Sequence, residues 1–468
     1  MNYAFTRSIP SEETYDLVVA GGGPAGSAAA TFNTEKTYAA SASHKSPFAL
    51  MVTSIMVFFA FVRVGVCEDG NALISAEGVN PVNDIKEKLK AFTEQRYALL
   101  KKISSERNLP LPPSVHLFFE EAKKGNVEET IKLYDETLTT DGSRRIPELY
   151  TELFAPVHEV LGVYEQWSDW KENATLFKMF YEPILKIVPP GSVYFGGTDS
   201  GRFLVTMANE VDNAGILCVT QNALADQIYM DCLRYMYENK LRIPTPDDSG
   251  KAFEIYVRDV QEGRRPNNGD LAIKNGRIQV TGALAVMEIN GILAKWIHDW
   301  NKDKHDFFIE ESYPISWMNP YLRPAGSIMK IEKEPLPSPQ QDKKLWDDIV
   351  AQDTAHWDEL VEKLMAHEEF GRNVAAKKNF SKLRSAIAGI YLFRGMVAEA
   401  EYALKQAVAF YPEGSEGGYR LAELYLAQRR YADARSIMEN CLVHDTHNEN
   451  IRRMLDRIND LEATSERR

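Results

Sequence analysis

The last part of the chain repeats itself at a fixed spacing, and this feature constrains the fold more than any other. Matching side chains recur 34 positions apart over residues 388–446, and all but the last pair keep a small or apolar type. A unit of this length holds two short helices and cannot bury its apolar face alone, so the period predicts stacked helical hairpins. The pairs are Ala388 with Ala422, Tyr391 with Tyr425, Ala398 with Ala432, Ala400 with Ala434, Leu404 with Met438, Ala407 with Cys441, and Pro412 with Thr446.

The repeated pattern resembles the tetratricopeptide repeat, which has small residues where its paired helices cross and a proline at its end. The resemblance implies an all-α repeat domain over 342–468 with a concave face that binds a protein or peptide. Two repeats are few for such an array, so Trp346–Glu368 and Glu449–Ala463 are predicted as further helices that pack against them. A plain helical bundle is the alternative.

The middle of the chain, 187–334, is predicted to be an α/β domain, and the Pro-rich residues 335–341 are predicted to link it to the repeats. Val193–Phe195 and Ile216–Thr220 are short apolar runs that each lead through a polar loop into a helical segment. Strand, loop and helix in alternation predict a parallel sheet covered by helices. Later predicted elements are a hairpin at Leu271–Thr281, a helix at Ala283–Trp300, and strands at Phe307–Glu311 and Ser327–Ile331.

Polar loops follow two predicted strands, and ligands of open α/β sheets bind beyond the carboxyl ends of the strands. The candidate ligand-binding residues, which could hold a sugar or a phosphate, are Thr198, Asp199, Arg202, Asn222 and Asp226. Thr198, Asp199 and Asn222 are equally suited to cap the helices that follow.

Catalytic constellations are missing from the sequence. Glu310 and Glu311 are predicted on opposite faces of one strand and therefore not as an acid–base pair. The histidines show neither a catalytic triad nor metal-ligand spacing. We therefore expect no catalytic residue and no metal ligand.

Part of the middle domain resembles the soluble domain of bacterial membrane proteins related to protein O-mannosyltransferases, a family of unknown function. The likeness covers about Ile187–Gln340, and it depends on Gly196, Asp199, Arg202-Phe203, Asn222 and Leu224. It implies an exported accessory domain near the glycans of the cell envelope. It does not imply transferase activity, because those relatives carry their catalytic acids among many membrane spans.

A dinucleotide-binding motif stands near the start of the chain. In Tyr15–Ala30 an apolar strand precedes Gly21, Gly23 and Gly26 in the arrangement G-x-G-x-x-G, which lets a backbone approach a pyrophosphate. The segment resembles the start of FAD-dependent oxidoreductases, which makes FAD cofactor binding and oxidoreductase activity the alternative hypothesis. No second strand ending in an acid follows, so residues 1–45 are predicted as a leader and no cofactor is expected.

An apolar run follows the glycine motif. Phe48–Val62 has no charged residue, and the surrounding segment 46–67 is predicted as a signal or membrane-anchor helix. The membrane would be contacted through 48–66. The flanking charges favour an exported or anchored protein with its bulk on the non-cytoplasmic side. A buried core helix is the alternative.

Composition narrows the class of partner. The formal net charge of -13 argues against nucleic acid as the main partner. The segment 80–186 is predicted to be helical, so the fold is mixed and helix-rich overall: an α/β middle domain followed by all-α repeats. Four cysteines are too few for a disulfide scaffold, although Cys218 and Cys232 could form a bridge in an exported chain. The leading hypothesis is an exported or membrane-anchored interaction protein with an α/β ligand-binding or accessory domain, and not an enzyme.

Overall fold

The computed structural model describes residues 2–7, 14–20, 80–135, 139–140, 143–144, 153–265, 271–274, 277–280, 283–310 and 315–466. Fifteen α-helices lie in these ranges. The glycine motif Gly21–Gly26 and the apolar run Phe48–Val62 lie outside them. The predicted fold class is confirmed at the level of a helix-rich chain with a mixed sheet in its middle region and helical repeats at its end.

Five helices precede the central sheet in the chain. Asn80 caps the first, accepting a hydrogen bond from the backbone N–H of Val82, and Pro81 occupies its first turn, where a missing N–H costs nothing. The pattern predicts helix throughout 80–186. The structure instead breaks it after Asp169, because Lys171 and Glu172 adopt left-handed φ angles of 53°. The helices are α1 (Pro81–Arg107), α2 (Pro113–Lys123), α3 (Val127–Leu133), α4 (Phe154–Asp169) and α5 (Ala174–Ile187).

Two antiparallel strand pairs lie outside the central sheet. Strands β1 (Asn2–Arg7) and β2 (Thr14–Ala20) pair antiparallel, and β3 (Thr139–Thr140) pairs with β4 (Ser143–Arg144). The predicted strand before the glycine motif is therefore β2. Strand β2 also pairs in parallel with one strand of the hairpin described below.

The central sheet has five strands in the order β10-β11-β9-β5-β6. Strand β5 lies parallel to β6 and to β9, and β11 pairs antiparallel with β9 and β10. The sequence predicted the parallel part and missed β10 and α8. The elements in chain order are β5 (Val193–Gly196), α6 (Asp199–Val211), β6 (Leu217–Thr220), α7 (Gln227–Tyr237), α8 (Pro246–Gln261), β7 (Leu271–Lys274), β8 (Arg277–Val280), α9 (Ala283–Asn301), β9 (Phe307–Ile309), β10 (Leu322–Ala325) and β11 (Ile328–Ile331).

The predicted hairpin is present as β7 and β8, which pair antiparallel. Its turn residues Asn275 and Gly276 lie outside the described residues. The hairpin does not join the central sheet. It forms a separate four-stranded sheet of order β1-β2-β8-β7.

The C-terminal part consists of paired helices, as the period predicts. A short 3-10 turn, Phe370–Arg372, separates the first long helix from the repeats. The helices are α10 (Lys343–Ala366), α11 (Val374–Phe393), α12 (Val397–Phe410), α13 (Ser415–Ala427), α14 (Tyr431–His444) and α15 (Glu449–Glu466). The small residues of the period fulfil their expected role, because Ala388, Ala400, Ala422 and Ala434 are fully buried at the helix contacts.

The repeats pack directly on the helices that precede the central sheet. The Phe380 ring of α11 lies 6.3 Å from Trp170 and 5.9 Å from Phe180. The amide of Asn373 donates to the carbonyl of Trp170 at 2.8 Å. The proline-rich linker is also held, since the indole N–H of Trp346 donates to the carbonyl of Pro337 at 2.8 Å. These contacts set the repeats at a defined position beside the sheet.

Candidate functional site

Three parallel strands end at the same edge of the central sheet, and a buried carboxylate lies there. Glu310 directly follows β9 and is 2% exposed. Its Oε2 accepts hydrogen bonds from the backbone N–H groups of Gly197 and Thr198, both at 3.0 Å, and its Oε1 accepts one from the Thr198 hydroxyl at 2.5 Å. The carboxylate therefore occupies the loop between β5 and α6, where an anionic ligand of such a sheet would bind.

Two glycines allow this close approach. A side chain at Gly201 would overlap the carboxylate of Glu310. A side chain at Gly196 would come within 2.8 Å of the Cα of Arg202. The strand, the first turn of α6 and Glu310 thus fit together only because both positions lack a Cβ.

Burial raises the pKa of Glu310, and the hydrogen bonds from Thr198 and Gly197 oppose that rise. From the sequence, Glu310 is predicted only to face away from Glu311, on a strand that reaches residue 311. The strand instead ends at Ile309, and Glu311 lies outside the described residues. The available signal was the position of an acid at the carboxyl end of a strand parallel to β5, but the sequence does not reveal which strands are neighbours.

Four of the five candidate ligand-binding residues lie around this edge, and all five have a partner within the protein. Thr198 caps α6 through a hydrogen bond from the N–H of Gly201 at 2.8 Å, and Arg202 pairs with Asp199 at 2.5 Å. Asn222 donates to the carbonyl of Gly197 at 2.9 Å, which joins the two loops.

Asp226 lies apart from this group, because it caps α7 by accepting from the N–H of Ile228 at 2.9 Å. Thr198 and Asp226 are therefore helix caps, while Asn222 belongs to the 3-10 turn Gln221–Ala223. A ligand-binding role for any of the five stays a prediction.

A chain of contacts leads from this sheet edge to the repeats. The hydroxyl of Ser200, in the first turn of α6, donates to Gln166 at 2.5 Å and accepts from the indole N–H of Trp170 at 3.2 Å. Trp170 in turn contacts α11 through Asn373 and Phe380. The start of α6, the end of α4 and the start of α11 therefore converge.

Charged side chains from these helices face each other where they converge. We define the charged cleft as Glu165 and Asp169 of α4, Asp199 of α6, and Lys378 and Lys382 of α11. The carboxylates of Asp169 and Asp199 both act on the pKa of Lys378, and Lys378 acts on that of Asp169. The cleft thus has an acidic wall on the α/β side and a basic wall on the repeat side.

The cleft shifts the pKa values of its members. Desolvation, reinforced by Asp199, Asp135 and Asp169, raises the pKa of Glu165 to about 7, and Arg202 opposes the rise. Lys378 keeps an exposed surface but lies in a concave region, so desolvation lowers its pKa, and the like charge of Lys382 acts in the same direction. Within the described ranges, neither Glu165 nor Lys378 has a hydrogen bond or an ion pair.

The first helices of the repeats lie side by side and form one surface. Arg420 of α13 donates to the carbonyl of Ser385 of α11 at 3.3 Å, and Arg457 of α15 pairs with Glu423 of α13. On α11, Lys378, Lys382, Ser385 and Gly389 recur at intervals of four, three and four residues and so share one face. We call this inner surface of α11, α13 and α15 the groove. A Cβ built at Gly389 meets nothing within 4 Å, so the groove is open there.

Several other predictions concern residues that the structure does not describe or that it corrects. No helix in the described ranges has the length and apolar character that a membrane span requires. Phe48–Val62 lies outside those ranges, so membrane anchoring stays a prediction. The same holds for FAD binding at Gly21, Gly23 and Gly26.

The Cys218–Cys232 bridge that the sequence left open is absent. Neither thiol is in a disulfide, and both are buried, Cys218 on β6 and Cys232 on α7. Burial raises the pKa of the Cys218 thiol to about 12, which makes it unreactive.

Comparison with known families identifies one region. The tetratricopeptide repeat family matches residues 392–458, which run from the end of α11 into α15. The predicted C-terminal repeats are thereby confirmed, and such repeats generally mediate binding between proteins. The comparisons give no support to the likenesses to O-mannosyltransferase-related proteins or to FAD-dependent oxidoreductases. No curated protein matches the chain.

Proposed function

We propose that this protein binds an extended segment of another protein in the groove, and that its α/β domain forms the wall at one end of that groove. The observation that carries the proposal is the open face of α11, where Gly389 leaves free space and Lys378 projects without a partner in the described part of the chain. Both residues precede the matched residues 392–458, on the helix that packs against α12 at the start of that region. Arrays of such repeats bind partners along their concave face.

The packing supports a preformed site. Phe380 fixes the start of α11 against Trp170, and the buried ion pair of Arg384 with Asp353, at 2.7 Å, fixes its middle against α10. A rigid groove loses little conformational entropy when a segment binds, so more of the contact energy remains as affinity.

The proposal is tested by selecting peptides from a random displayed library with the immobilised full chain. We expect selected peptides to bind at micromolar affinity or better and Gly389→Tyr to weaken them at least tenfold, because the new ring fills the groove. Ala409→Tyr is the matched control, since Ala409 is exposed on α12 and lies outside the groove. An empty selection, or equal losses for the two variants, would refute groove binding.

A finer form of the proposal concerns location. The apolar run Phe48–Val62 supports export or anchoring with the groove on the non-cytoplasmic side, and the likeness of 187–340 to envelope proteins supports a role beside glycans. N-terminal sequencing of the protein from membrane and soluble fractions tests the first point. Loss of glycan binding on Asp199→Ala tests the second. Failure of either leaves groove binding unaffected.

A further inference from the structure

The charged cleft opens into the groove, so a bound segment that reaches the end of the groove meets both charged walls. The basic wall is the α11 face of Lys378 and Lys382. The acidic wall is Glu165 and Asp169, one helical turn apart on α4, with Asp199 beside them on α6. The cleft therefore continues the binding surface from the repeats onto the α/β domain.

The charges along the groove itself favour a negative segment. Next to Lys378 and Lys382, α13 contributes Glu416 and Arg420, which pair with each other at 3.1 Å. Desolvation acts to raise the pKa of Glu416. The charges of Arg420, Lys382 and Lys378 outweigh it, and the pKa of this carboxyl group is lowered. Arg420, Lys382 and Lys378 all act on this one carboxylate, so three cations and one anion lie close together on the α11 and α13 faces of the groove.

The opposite wall favours a positive group. Three carboxylates lie there, and among the residues that the structure describes only Asp199 of the three has a cation within ion-pairing distance, namely Arg202. Glu165 has no hydrogen-bond or ion-pair partner among the residues that the structure describes. A cation placed between Glu165 and Asp169 would relieve the repulsion and desolvation that raise the pKa of both carboxyl groups.

We infer that the segment held in the groove is bipolar, with acidic residues where it crosses Lys378 and Lys382 and a basic residue where it reaches Glu165 and Asp169. This inference rests on the proposed function and adds the chemistry of the partner and the direction in which it lies. Charge complementarity on two facing walls also excludes the reversed orientation, which would place like charges together.

The test compares the charges of peptides that the immobilised full chain selects from a random library. We expect an enrichment of peptides that carry acidic residues followed or preceded, on one constant side, by lysine or arginine. Lys378→Met should remove the preference for acidic residues, and Glu165→Gln the preference for the basic one. Each change should weaken the affinity for a peptide that the wild-type chain selected by about fivefold to tenfold.

Lys405→Met is the matched control, because Lys405 is an exposed lysine on α12 that pairs with Glu401 outside the groove. It should leave both preferences unchanged. Peptides that bind well but show no charge pattern, or a pattern that neither variant alters, would overturn the bipolar segment and leave groove binding intact. A selection that yields no peptide at all would overturn both.

Discussion

The carboxylate of Glu310 lies 3.0 Å from the backbone nitrogen of Thr198, at the start of α6, although the two residues are 112 positions apart in the chain. It thereby supplies from within the protein the negative charge that the N-terminus of a helix attracts. This pair locks strand β9 to the loop after β5 and determines the shape of the sheet edge beside the charged cleft.

Glu310→Gln should lower the free energy of unfolding by about 2–3 kcal/mol. A glutamine of the same shape can turn its single oxygen towards the N–H groups of Gly197 and Thr198, but its NH2 group then faces the Thr198 hydroxyl, which donates to Glu310 in the wild type. The negative charge that strengthens these hydrogen bonds is also lost. Urea denaturation followed by circular dichroism measures the change. A loss below about 0.5 kcal/mol would mean that the three hydrogen bonds contribute no net stability.

Gly201→Ala should destabilise the fold by about 3 kcal/mol, because the added methyl group overlaps the Glu310 carboxylate. Gly389→Ala is the matched control, since its methyl group enters open space on a helix and should stabilise by about 0.5–1 kcal/mol. Thermal melts of the two variants should therefore shift in opposite directions. An unchanged or raised melting temperature for Gly201→Ala would show that the backbone at Gly201 tolerates a side chain.

Asp353→Ala should cost about 3–5 kcal/mol, because it leaves Arg384 charged and fully buried without its counterion. Tyr391 also donates to Asp353, at 2.7 Å. The double variant with Arg384→Met should be more stable than Asp353→Ala alone. Lys343→Ala is the control, because it removes one partner of the exposed pair of Lys343 with Asp347. It should change stability by less than about 1 kcal/mol. Denaturation curves of the wild type, Asp353→Ala, Arg384→Met, the double variant and Lys343→Ala provide the comparison, and additive losses at Asp353 and Arg384 would contradict the coupling.

Glu165→Gln should stabilise the protein at alkaline pH and have little effect at acidic pH. The pKa of Glu165 is raised from 4.5 to about 7, so the folded state binds a proton that the unfolded chain has already released. Wild-type stability therefore falls as the pH rises from about 4.5 to 7, and the variant escapes that loss. We expect a gain of about 1–3 kcal/mol above pH 7, since Glu165 is only partly buried.

The measurement for Glu165 is the difference in unfolding free energy between variant and wild type across this pH range. A difference that does not vary with pH would show that the carboxyl group titrates normally. If the gain in stability accompanies the loss of basic-residue selectivity, Glu165 reduces stability at neutral pH in order to bind a partner.

The local elements and the repeats follow from the order of residues along the chain. The helices begin where Asn80 and Asn373 can cap them, and the small residues of the 34-residue period, Ala388 and Ala422 among them, are buried at helix crossings. These features depend on spacing and on neighbours close in the chain, so periodicity reveals them. The five candidate ligand-binding residues were predicted for the same reason, because each follows or caps a predicted element.

Contacts between residues far apart in the chain depend on the tertiary structure. Strand β9 pairs with β5 after 110 intervening residues, and this pairing brings Glu310 to Thr198. The aromatic contact between Trp170 and Phe380 sets α11 against α4, and so places Lys378 opposite Asp169. Such pairings depend on the complementarity of whole surfaces, because apolar burial is non-directional and any apolar strand or ring could satisfy it locally.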